Sequence, residues 1–127
     1  MALNYSKKTM QHFRYPKNIG EIKKPDARAE VGNMVCGDQL SFTLKVKDDK
    51  VKDIKFLSFG CASNIATASV MTEMVKGMTL EEAKKFDWNK IVKKLDGLPQ
   101  QKVHCSVLAV EGLKKVISEY EKKKDEK

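Results

Sequence analysis

A mixed α+β domain, strands first and helices after, is the fold class that this chain of 127 residues predicts. Three observations carry it. Leu40, Phe42, Leu44 and Val46 alternate with Gln39, Ser41, Thr43 and Lys45, the period of a strand with one dry face. A second extended run, Val51 to Phe59, follows the polar turn Lys47-Asp48-Asp49-Lys50, so the two runs read as a hairpin. Near the end, Val107, Val110, Leu113, Ile117 and Tyr120 keep helical spacing instead. No internal repeat or linker interrupts the chain, and its length can bury a core without disulfide or metal staples. Residues 1–127 are therefore read as a single domain, with 1–4 and the charged stretch 121–127 frayed.

Taken in order, Tyr5 to Arg14 form a short helix with Met10 and Phe13 on its apolar side, ended by Pro16. His12 on this helix has no ligand-type neighbour and is read as a surface histidine. The segment through Lys24-Pro25-Asp26 is expected to be irregular and mobile. Val31 to Cys36 begin the sheet, and Gly37-Asp38 break it with a tight turn. After the hairpin, Gly60 lets the chain leave its strand sharply, with Ser63 as the expected cap of a helix running from Ala62 to Lys76. That helix is small and apolar around most of its circumference and should pack closely on the sheet. Met71, Met74 and Met78 resemble a soft-metal stripe but read as core filler. Thr79 with Glu82 makes a capping box, Asp87 caps a further short helix, and Trp88 anchors that region.

The totals exclude several functions. A net charge of +8 invites a nucleic-acid reading, but the lysines are dispersed among acidic residues and no aromatic-basic stacking motif accompanies them. The basic surface suits an acidic protein partner instead. No apolar run approaches the ~20 residues that span a bilayer, and no leader-like start is present. Three cysteines, an odd number, cannot close a full intramolecular disulfide set, so a reducing, cytoplasmic setting is expected.

Each cysteine falls where an element ends: Cys36 before a turn, Cys61 at a strand-to-helix join, Cys105 at the start of the last helix. At the join, backbone N–H groups and the positive end of the helix dipole favour a thiolate. Asp38 lies two residues past Cys36, and His104 immediately precedes Cys105. Three thiols with a carboxylate and an imidazole suit a zinc ion or a small iron–sulfur cluster. Without a CxxC pair, spacing alone does not choose between them.

The order Tyr15-Pro16-Lys17-Asn18, Cys36-Gly37-Asp38, Gly60-Cys61-Ala62-Ser63 and Lys102-Val103-His104-Cys105-Ser106 resembles the IscU/NifU-type iron–sulfur cluster assembly scaffolds over nearly the whole chain. Separations of 25 and 44 residues between successive cysteines resemble the IscU branch. The resemblance implies a compact α+β domain, a small antiparallel sheet of about three strands with helices mainly on one face. It implies a transient [2Fe-2S] cluster built at the sheet's edge on Cys36, Cys61 and Cys105, with Asp38 the accessory acid and His104 the neighbouring histidine. Iron, sulfur from a cysteine desulfurase received on Cys105 or Cys36, and apo iron–sulfur acceptor proteins follow as cargo and partners, and a homodimer is admitted. Zinc is the alternative occupant of the same residues.

Two departures stand out. Leu98-Pro99-Gln100-Gln101-Lys102 replaces the family's Leu-Pro-Pro-Val-Lys, which removes a preorganised extended segment and argues against a dedicated DnaK-like chaperone. Tyr15 stands where the family usually has asparagine. Three thiols with Asp38 or His104 make a weaker, more exchangeable site than the four thiolates of a permanent electron carrier, and a scaffold must release its cargo. The competing functions are a zinc-bound interaction module and a thiol enzyme with Cys61 or Cys105 as nucleophile, His104 as base and Asp38 as orienter. In the enzyme reading, adjacent positions on a helix start point His104 away from Cys105 and leave it to serve Cys61.

Overall fold

Alternation in the hairpin residues places their apolar side chains on one face, and the rest of the molecule assembles on that face. The computed structural model describes residues 5–33 and 38–125. Helix α1 (Lys7–Arg14) is followed by three strands, β1 (Ala27–Asn33), β2 (Asp38–Lys47) and β3 (Lys50–Phe59). Then come α2 (Ala62–Val75), α3 (Leu80–Lys84), α4 (Trp88–Lys94), a single 3-10 turn (Gln100–Lys102) and the long α5 (Val103–Asp125). The strands form an antiparallel sheet in the order β1-β2-β3, with Phe42 opposite Ala29 on one side and Phe56 on the other. Asp48 and Asp49 both take left-handed φ, 55° and 59°, which is the turn whose twist matches a two-residue hairpin.

The core lies between the sheet and the helices α2 and α5. Leu40, Phe42, Leu44, Ile54 and Phe56 from the sheet meet Val70, Met71, Leu113 and Ile117 in one buried cluster. Gly112 on α5 is the closest approach. A Cβ there would fall 2.3 Å from the Phe42 ring and 3.1 Å from Val31. Phe42 is fully buried, so its ring has nowhere to go. Alanine at Gly112 gains about 1 kcal/mol of helix propensity but overpacks the core, which costs about 1–3 kcal/mol. Gly112→Ala is expected to lower the melting temperature by several degrees; a rise would show that α5 can slide off the sheet at no cost.

Several expectations are corrected. The sheet begins at Ala27, because the small Ala27 and Ala29 side chains are buried on β1, the strand against which α5 packs. The preceding segment is irregular but pinned. The Gly20 N–H donates to the Phe56 carbonyl, the Ile22 N–H to the Thr43 hydroxyl and the Asp26 N–H to the Leu44 carbonyl. The C-terminal stretch is helical through Asp125 instead of frayed at 121, with Glu121 bonded to Lys84 of α3 at 2.6 Å. The capping box at Thr79 and Glu82 and the Asp87 cap form as the sequence indicates. Met71 is buried in the core, with Met74 and Met78 packed against it. No helix among the described residues is long and apolar enough to cross a membrane.

Helix α2 is buried on nearly every side, since α1, α5 and β3 all pack on it. Its buried Ser69 and Thr72 are satisfied by α1 and the turn that follows. Ser69 accepts from the Lys17 N–H and shares a 2.8 Å bond with His12 Nδ1, and the Asn18 amide donates to Thr72. His12 is thus half-buried and bonded across the molecule, not a surface histidine. Burial pushes its pKa below the ordinary 6.5, with Glu73 opposing and Lys17 and Lys94 reinforcing that shift. A base with a depressed folded pKa leaves the unfolded state to bind protons first. The stability that depends on neutral His12 is complete above about pH 6.5 and falls as the pH drops from there toward the folded value. His12→Gln is expected to flatten the pH dependence of the melting temperature between about pH 7 and 5; an unaltered slope would remove His12 from the account.

Candidate metal centre

Strand β3 ends at Phe59, Gly60 carries the turn, and Cys61 itself occupies the N-cap of α2. Its backbone is extended (φ −82°, ψ 176°), and no side chain caps the helix. Ser63, the expected cap, lies instead in the first turn with its side chain fully buried, because the helix begins at Ala62. The thiol of Cys61 therefore stands at the end of α2 where free N–H groups gather.

Asp38 is not in a turn. It opens β2 and pairs with Asn33, so the ladder reaches right up to it. Gly32 makes this possible: its φ is +93°, and a Cβ there would lie 2.2 Å from the Asp38 carbonyl oxygen. Cys36 belongs to the connection 34–37 and lies outside the described residues, so its position relative to the site is not part of what the structure describes.

Cys105 is the third residue of α5 and is fully buried. Its sulfur, that of Cys61 and a carboxylate oxygen of Asp38 all lie within 4.8 Å of one another. Ligands at 2.0–2.3 Å from one tetrahedral ion sit roughly 3.5 Å apart, so small side-chain adjustments suffice to converge on a metal. Burial pushes the Cys105 thiol up to about 12; the Ser63 hydroxyl beside it works the other way, and the charges of Cys61 and Asp38 add to the rise. Without metal it is a thiol at neutral pH, and a metal must displace its proton to bind there.

His104 is exposed and joins the group from outside. Its Nε2 lies 2.9 Å from Asp38 Oδ2 and 3.8 Å from the Cys105 sulfur. This corrects the expectation that His104 and Cys105 diverge. The first turn of α5 lets the imidazole fold back across its neighbour, with Asp38 fixing the ring. Both contacts use the one nitrogen Nε2, which donates to the Asp38 carboxylate and so is no base toward the sulfur, and that sulfur is buried and strongly protonated, the opposite of an activated nucleophile.

Two contributors escaped the sequence reading. Lys102, the last residue of the 3-10 turn, has its pKa raised first by the charge of Cys61 and further by a hydrogen bond to that sulfur. A lysine three residues before a cysteine at a helix start was the available signal. Tyr5, just ahead of α1, has its pKa raised by burial first and then by Cys61, with Cys105 and Asp38 adding to it. Nothing local in the sequence marked it.

Comparison with known proteins gives a consistent picture. Residues 4–127 match the family described as the NifU-like N terminal domain. The chain is 49% identical over 119 residues to the iron-sulfur cluster assembly scaffold protein IscU 1 of Archaeoglobus fulgidus, covering 94% of this chain and 78% of that one. Identity to the iron-sulfur cluster assembly scaffold protein IscU of Rickettsia prowazekii is 40% over 127 residues, with 97% and 96% covered. Among solved structures, a candidate iron-sulfur cluster assembly scaffold for the SUF system from Fervidobacterium islandicum superposes with a TM-score of 0.74. It is 28% identical, with 89% of this chain and 96% of that chain covered.

Proposed function

The chain belongs to the NifU-like N-terminal domain family, and on that premise we propose that it is a scaffold on which an iron–sulfur cluster is assembled and from which it is passed on. The observation that carries the reading is the convergence of two thiols and one carboxylate from three separate segments within 4.8 Å. Soft thiolates suit iron–sulfur units, and the harder carboxylate makes the set exchangeable. Cys36, two residues before Asp38 in the chain, supplies the third thiolate, giving a site for a transient [2Fe-2S] cluster on Cys36, Cys61, Cys105 and Asp38, with His104 as alternative fourth ligand. The whole chain acts as one domain in this role, in a reducing cytoplasm.

Sulfur comes from a cysteine desulfurase as a persulfide. Cys105 and Cys36 are the two candidate acceptors. At Cys105 the thiol gives its proton to solvent once it is exposed, since His104 Nε2 already carries the hydrogen it donates to the Asp38 carboxylate. The resulting thiolate attacks the outer persulfide sulfur, a new S–S bond forms, the old one breaks, and the desulfurase cysteine leaves as thiolate. Because Cys105 is buried, the start of α5 must open for this step. Lys102 beside Cys61 holds a positive charge against the negative cargo. The segment Leu98-Pro99-Gln100-Gln101-Lys102 lacks the second proline and the valine of the family's chaperone motif, which supports a scaffold that works without a dedicated DnaK-like chaperone.

Zinc fits these donors as well, so zinc in a purified sample does not contradict the assignment. The test is anaerobic incubation with ferrous iron, a desulfurase and cysteine. A visible sulfur-to-iron charge-transfer spectrum is expected; a protein that stays colourless and fully zinc-loaded would leave only a zinc-bound interaction module.

A further inference from the structure

The first two turns of α2 carry a row of buried polar side chains directly behind the metal ligands. Asn64 donates its amide to the Ser58 hydroxyl at 3.0 Å and to the Gln39 carbonyl at 3.4 Å, tying α2 to β3 and β2. Thr67 donates to the carbonyls of Asn64 at 3.1 Å and Cys105 at 3.4 Å, tying α2 to α5. The segments bearing Asp38, Cys61 and Cys105 are thus held in register by α2. Ser63 lies in the same turn, fully buried, yet its hydroxyl oxygen has no hydrogen-bond partner among the described residues.

A buried hydroxyl left unpaired has given up its bonds to water for nothing, and native folds rarely tolerate that. The sulfur of Cys105 lies beside this hydroxyl, and the hydroxyl lowers the pKa of that thiol by favouring its ionised form as an acceptor. A neutral thiol is a poor acceptor, whereas an ionised sulfur, free or bound to metal, is a good one. The partner that Ser63 lacks would therefore arrive together with the cargo.

We propose that Ser63 is a positioning residue whose hydroxyl donates a hydrogen bond to the Cys105 sulfur when that sulfur is bound to metal, and so sets how long the site retains what it carries. The proposal rests on the scaffold assignment for the identity of the cargo, but the hydrogen bond needs only a metal-bound thiolate. Donors to a ligating sulfur withdraw electron density from it, which raises the reduction potential of an iron–sulfur unit and slows loss of metal.

The test compares the full-length parent with Ser63→Ala, using zinc and cobalt(II) alone as probes and then the reconstituted cluster. The alanine variant is expected to bind zinc about tenfold more weakly. Its thiolate-to-cobalt band should move to longer wavelength, because the sulfur donor has lost its hydrogen bond. Its metal-free melting temperature should not fall, because the hydroxyl removed had no partner. A reconstituted cluster on the variant should show a lower reduction potential and bleach several times faster in the presence of a chelator. Unchanged zinc affinity and cobalt spectrum would overturn the proposal. So would a metal-free melting temperature lowered by several degrees, which would show that the hydroxyl is already bonded in the empty fold. If the zinc and cobalt results hold while neither protein assembles a cluster, the scaffold assignment fails and the hydrogen bond stands.

Discussion

Serine in place of Cys61 or Cys105 is expected to cut the yield of assembled cluster by more than about tenfold. Substitutions one shell out from a metal already cost about 10–100-fold, and these remove a ligand outright. A serine hydroxyl stays protonated and is a hard donor where a soft one is required. Cys61 is only half-buried, so Cys61→Ser should keep the fold and give the cleaner result. Cys105 is fully buried, and a hydroxyl in its place adds an unsatisfied polar group; Cys105→Ala, with a metal-free melting curve, separates lost ligation from lost packing. The same loss is expected of Cys36→Ser if the third thiolate comes from the connection before Asp38. Should two of the three single variants assemble clusters normally, the shared site would have to be abandoned.

The second large effect is expected at Asp38. Its carboxylate is the one hard oxygen among the converging donors, and it divides its attention, since His104 Nε2 lies 2.9 Å away. In the proposed site, Asp38 would turn between metal and imidazole, a natural point of release. Asp38→Ala should still assemble a cluster but transfer it to an apo-ferredoxin roughly tenfold more slowly. If Asp38 serves only to start β2 opposite Asn33, the same change lowers the melting temperature and leaves the transfer rate per folded molecule alone. Faster transfer from the variant would contradict the role assigned here.

The hairpin was legible because Leu40, Phe42, Leu44 and Val46 alternate without interruption ahead of a polar turn and a second extended run, and Cys61 was legible because a glycine and a helix-forming run bracket it. Strand β1 was not. Ala27-Arg28-Ala29-Glu30 has no β-branched residue, and it becomes a strand only because β2 offers a ladder and α5 covers the two alanines. His12 read as a surface residue because its partner, the buried Ser69, is remote in sequence and meets it only through the packing of α1 on α2. The last turns of α5 looked frayed by composition, yet Lys84 on α3 reaches Glu121 and holds them. At the site, Cys61, Cys105, Asp38 and His104, which the fold brings together, could be named from residue type and position. Lys102 was marked only by lying three residues before Cys105, because its pairing with Cys61 depends on a 3-10 turn that aims its ammonium back at a cysteine far earlier in the chain. Ser63 was visible only as a helix cap, since burial and an absent partner are properties of the packed molecule.

The central claim is that these residues make a site which builds a cluster and then lets it go. The most direct measurement loads the protein anaerobically, adds an apo-ferredoxin, and follows the acceptor's own spectrum with an iron chelator present. The account predicts that the acceptor gains a [2Fe-2S] cluster at the rate the scaffold loses one, with the chelator taking only a minor share. A cluster that stays on the protein, or one that reaches the acceptor only when the chelator is left out, would contradict it.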